Sequence, residues 1–71
     1  MVTEVEAQIA GSVWKIERAV GDVVKEEDVI MILESMKMEI PVEAPCAGRI
    51  REIRVREGQG IEEGAILAVI E

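Results

Sequence analysis

Few side chains in this sequence could do chemistry. There is no histidine and a single cysteine, Cys46, which excludes an internal disulfide and a zinc site built from soft ligands. The acidic clusters Glu26-Glu27-Asp28 and Glu62-Glu63 could supply paired carboxylates for acid–base work. They sit beside turn signals at matching places of an internal repeat, and they read as solvated loop charge. Cys46 aligns within that repeat with Ile9 and reads as a buried core thiol in place of an aliphatic side chain. That leaves Lys37, the centre of Met36-Lys37-Met38. Between two strands, in so short a segment, a lysine points to water, and the plain reading is a solubilising turn residue. Its neighbours fit that reading poorly, because two large apolar side chains beside an exposed turn cost solubility. Methionine is flexible and polarizable and suits contact with a partner; the other option is that Met36 and Met38 fold back onto the end of the domain.

The elements that must hold Lys37 follow from a repeat. Shifted by 37 positions, the sequence aligns with itself without a gap: residues 3–34 match residues 40–71 with nine of 32 positions identical. The identities include Gly11/Gly48 and Gly21/Gly58, and apolar pairs such as Val13/Ile50 and Val29/Ile66 extend the match. Two copies are too few for a solenoid. They suggest two equivalent halves sharing one core, and Ser35-Met36-Lys37-Met38-Glu39 is the connection that occurs once.

The 71 residues allow one domain, residues 1–71, with Trp14 as the sole aromatic. A helical reading has some support in Val13, Ile16 and Val20 and in the run EEDVIMILESMKM. Against it, glycines punctuate the chain at strand-like intervals, and Arg49-Ile50-Arg51 and Arg54-Val55-Arg56 alternate with period two. Val29–Leu33 and Ala65–Ile70 read as fully buried strands. Pro41 falls on the polar phase of Met38–Glu43, which makes that segment an edge strand. The spacing Val13-x-x-Ile16, repeated as Ile50-x-x-Ile53, breaks alternation and calls for a bulge or a strand changing sheets. The expectation is an all-β chain of about eight short strands, four per copy.

The net charge is −7. It argues against nucleic acid, whose binding needs clustered cations and stacking aromatics. No apolar run approaches the ~20 residues of a membrane span, and the first residues lack the pattern of a secretory signal, so a cytoplasmic protein is expected. Residues 35–39 are neutral, whereas the two copies carry −5 and −2, so apolar contact is the expected means of reading that segment.

Glu34-Ser35-Met36-Lys37-Met38-Glu39-Ile40-Pro41-Val42 resembles the attachment motif of biotinyl domains, members of the biotin/lipoyl attachment family, and the resemblance spans the whole chain. It implies a flattened eight-strand barrel-sandwich of two four-stranded sheets related by a pseudo-two-fold axis, with the lysine on a hairpin. It implies biotin joined by an amide to Lys37, and recognition through Met36, Met38 and Glu34. The domain would be a biotin carboxyl carrier, not an enzyme by itself, serving a biotin-dependent carboxylase such as an acyl-CoA carboxylase. Its partners would be biotin protein ligase, biotin carboxylase and carboxyltransferase, and the isolated domain would be a monomer. The ungapped repeat leaves no room for the extra loop, or thumb, that some biotinyl domains carry in the first half, so a thumbless domain with mobile biotin is expected.

Lipoyl carrier domains of 2-oxo acid dehydrogenase complexes resemble the same pattern. They usually place aspartate before the lysine and a small residue after it, where this chain has methionine twice. A non-carrier lipoyl-like binding module is a third reading; such modules generally lack the lysine. Ser35 replaces the commoner alanine and is small enough to be tolerated. Glu27 stands where the second copy has Gly64. A positive φ there would cost a non-glycine residue about 1 kcal/mol, so the two turns are expected to differ.

Overall fold

The computed structural model describes residues 2–71 and contains eight strands and no helix. They are β1 (Thr3–Glu6), β2 (Gly11–Ile16), β3 (Val23–Val24), β4 (Val29–Ser35), β5 (Met38–Glu43), β6 (Gly48–Ile53), β7 (Gly60–Ile61) and β8 (Ile66–Ile70). The run that could have been a helix, residues 26–38, is a turn, β4 and the start of β5. Its Val, Ile and Leu side chains bury better on a pleated surface than around a short helix. No helix here is long and apolar enough to cross a membrane.

The strands form two antiparallel four-stranded sheets, ordered β1-β8-β6-β3 and β5-β4-β2-β7. The repeat shift exchanges the two orders term by term. Each copy supplies the central pair of one sheet and the edge pair of the other, so the halves interleave. The irregularities repeat as well. Between Val13 and Lys15 the register slips against β4, and between Ile50 and Glu52 it slips identically against β8. These bulges account for the broken alternation: Val13 and Ile50 are buried, and the extra residue in the first copy, Trp14, turns outward and is 47% exposed. Pro41 lies on β5, an edge strand, where its missing N–H costs no ladder bond.

The core is aliphatic, with Val13, Ile30, Met31, Leu33, Ile50, Leu67 and Ile70 essentially inaccessible. Two expectations about burial need correction. β4 is not buried on both faces, since Val29 and Ile32 remain partly exposed on the outside of their sheet. Cys46 is half-buried, a free thiol packed against the margin of the core, as is Ile9, its mate in the repeat.

The turn at Glu27 also departs from expectation: it is the same turn as at Gly64. Glu27 has φ 76° and Gly64 φ 90°. The Glu27 N–H donates to Ala44 O at 2.8 Å, as the Gly64 N–H does to Ala7 O. What holds Glu27 in this conformation is the next residue. The Asp28 carboxylate accepts from the Lys25 N–H at 2.8 Å, whereas the second copy has Ala65 there and relies on glycine. Replacing Glu27 with glycine removes the left-handed penalty while enlarging unfolded-state freedom, and should raise stability by about 0.5–1 kcal/mol. Gly64→Ala should lower it by about 1 kcal/mol. Urea denaturation of the two variants checks both signs.

Candidate functional site

The first copy runs on into the second by folding β4 directly onto β5. The rungs descend as Ser35↔Met38, Glu34↔Glu39, Leu33↔Ile40, Ile32↔Pro41 and Met31↔Val42. Ser35 and Met38 pair, so only Met36 and Lys37 are left to make the turn. A two-residue hairpin loop whose twist matches its strands needs positive φ at both central residues, which is why Asn-Gly is the usual choice. Here Met36 has φ 51° and Lys37 φ 66°. Each left-handed non-glycine residue costs about 1–2 kcal/mol, so the ladder below must hold the turn closed.

The base of the hairpin is braced from the side. β2 lies alongside β4 with Ser12 opposite Glu34. A Cβ added to Gly11 would collide with the Glu34 carbonyl and crowd Ser35. Only glycine lets β2 come this close, and the same approach recurs between Gly48 and Glu71. Lys37 is therefore set on a turn fixed by register, on strands fixed by packing.

Above that base the side chains are free. Met36 is 90% exposed and Met38 62%, so neither folds back onto the domain. Lys37 and Glu34 are exposed too. Among the described residues no salt bridge involves Lys37, Glu34 or Glu39. Glu34 and Glu39 stand directly opposite across the hairpin, an arrangement that disfavours the fold slightly. The groups with displaced titration lie away from the hairpin, at the end of β6 and just beyond it: the hydrogen bond from Arg54 Nε to Glu52 Oε1, at 2.8 Å, holds the Glu52 carboxyl below its usual range and raises the guanidinium.

All four site residues expected from the sequence are thus gathered at one hairpin. Lys15 and Lys25 are exposed elsewhere, on β2 and beside the Glu27 turn. The left-handed conformation of Met36 and Lys37 was not foreseen. No residue type announces it; the signal was the two-residue gap between strands whose register the repeat implies. The loop joining β1 to β2, residues 7–10, has the same length as its counterpart 44–47. No cluster of metal-ligating side chains occurs among the described residues.

Residues 1–70 match the family model for the biotin/lipoyl domain, described as biotin-requiring enzyme. The chain is 43% identical over 70 residues to a biotinylated protein TB7.3 homolog of Mycobacterium leprae, covering 99% of each. It is 41% identical over 63 residues to a biotin/lipoyl attachment protein of Bacillus subtilis, covering 89% of this chain and 86% of the relative. Among solved structures, the Kluyveromyces lactis urea carboxylase superposes with a TM-score of 0.95 at 34% identity, over all of this chain and 6% of that one.

Because Met36 and Met38 touch no core, Met36→Ala and Met38→Ala should each leave stability within about 0.5 kcal/mol of the parent. A loss of about 2–5 kcal/mol, the range for buried methionine, would show that they pack. Thermal melts distinguish the two.

Proposed function

The chain belongs to the biotin/lipoyl attachment family, as a non-catalytic carrier whose cofactor is biotin, and we propose that Lys37 is the residue to which biotin is joined. One observation carries this assignment: Lys37 alone among the three lysines sits at the turn of a register-fixed hairpin, exposed and without an ion-pair partner, between two exposed methionines. The site fits the group, since attachment needs a lysine open to a large enzyme and a backbone that does not move.

Attachment is acyl transfer. The Lys37 amine attacks the acyl carbon of biotinyl-adenylate, an amide bond forms, the acyl–phosphate bond breaks, and AMP leaves with its electron pair. The amine must be neutral to attack, and no base of this chain lies beside it, so the ligase must take the proton. The ligase would read the turn through Met36 and Met38, both of which are exposed, and through Glu34. The Glu34–Glu39 opposition gains the hairpin nothing, which supports an outward use for these carboxylates, toward a cationic group.

When bound, biotin supplies a ureido ring that takes up carboxylate at a biotin carboxylase and yields it at a carboxyltransferase. This chain contributes position. A rigid body about 33 Å long holds the Lys37 Cα in fixed geometry while the side chain stays free to swing. Tethering raises the effective concentration of the ring at each enzyme it visits. The reading has the domain acting as a monomer in the cytoplasm, served by biotin protein ligase and working between the two carboxylase activities.

Lys37→Ala should abolish labelling by biotin protein ligase and leave the melting temperature nearly unchanged. Intact-mass analysis after incubation with ligase, biotin and ATP checks it; biotin persisting on that variant would refute the assignment.

A further inference from the structure

β1 and β5 are edge strands, each paired on one side only. A groove of about 420 Å³ runs between them, in the size range of small-molecule sites. Ile9, Leu33, Ile40 and Val42 supply its apolar wall, and Glu6 and Gln8 are among its polar groups. No basic side chain lines it.

The groove breaks the pseudo-two-fold. In a symmetric sandwich, the rung Thr3↔Ile70 would line it wherever the rung Ile40↔Leu33 does. Only Leu33 and Ile40 do so, and Ile9 lines it while its mate Cys46 does not. The groove is therefore displaced along the seam toward the lysine hairpin, reaching the third rung below the turn.

We propose that this groove is a resting site for the neutral bicyclic ring of biotin carried on Lys37, an inference that rests on Lys37 as the attachment point. The distance allows it. Ile40 lies three residues from Lys37, about 10 Å at the rise of a strand. The lysyl side chain and the pentanoyl chain of biotin in series extend to roughly 13 Å at standard bond lengths. The chemistry matches. The ring is apolar apart from a ureido group whose N–H donors need acceptors, and the Glu6 carboxylate and the Gln8 amide oxygen can accept. Weak intrinsic affinity suffices, because a short tether gives a local concentration in the millimolar range. An anionic form of the ring would meet Glu6 and Glu43, which form no ion pair among the described residues, and Glu4, whose only cation is Arg54 at 3.9 Å outside the groove lining, and would be expelled. The groove thus shelters the ring when it carries nothing and surrenders it once charged, in place of the free mobility expected for a domain without a thumb.

The test compares methyl and amide NMR spectra of the protein before and after loading by biotin protein ligase, with one biotin per chain verified by intact mass. The expected result is shift changes at Ile9, Leu33, Ile40 and Val42 in addition to residues 35–39, lost from the loaded Ile9→Glu variant. Should that variant unfold, nuclear Overhauser contacts between ring protons and the Ile9 and Ile40 methyls in the unsubstituted protein replace it, and they are expected to be present. Changes confined to residues 35–39, or absence of those contacts, would overturn this proposal and leave the attachment assignment intact. Failure to load at all would overturn both.

Discussion

Neither half of this chain can close its own core. Each copy of the repeat places two strands at the centre of one sheet and two at the edges of the other, so both sheets that enclose the core are built from both copies. This interleaving stands in for the disulfides, metals and aromatic residues that small domains often use. It also makes one connection unlike all the others. The chain must pass from the first copy to the second, and the sheet order leaves it no route but a tight hairpin at the margin of a sheet. Lys37 sits on that hairpin.

Two consequences follow for Lys37. Register fixes the turn at two residues, and both take left-handed backbone at some cost in energy. The ladder of β4 and β5 and the close approach of Gly11 to Glu34 hold it closed. The Lys37 backbone is thus set by the strand register beneath it, while its side chain is exposed to solvent. A carrier needs that combination, since a mobile Cα would blur the geometry seen by each enzyme and a pinned side chain could not travel.

Much of this was legible in the residues. The 37-residue shift implied paired strands and one unique link, and the motif around Lys37 pointed to a carrier. The broken alternation at Val13 and Ile16 marked the bulge, and the phase of Pro41 marked an edge. Other features were hidden, each for a physical reason. Glu27 conceals a left-handed turn because the residue type argues against it, while the Asp28 carboxylate braces the turn by accepting from the Lys25 N–H. Met36 and Lys37 are left-handed because of strand register, not residue type. Cys46 and Ile9 occupy matched positions, but the part-exposure of both depends on how the sheet edges meet. The displacement of the groove toward the hairpin arises where the copies differ, which a repeat alignment averages away.

The account rests on Lys37 being the one residue of this chain that bears biotin, and tandem mass spectrometry of the protein isolated from its own cells tests that most directly. The expected spectrum shows a single biotinyl amide on the peptide containing Lys37, with Lys15 and Lys25 unmodified. A lipoyl group at Lys37, or biotin on either of the other lysines, would contradict it.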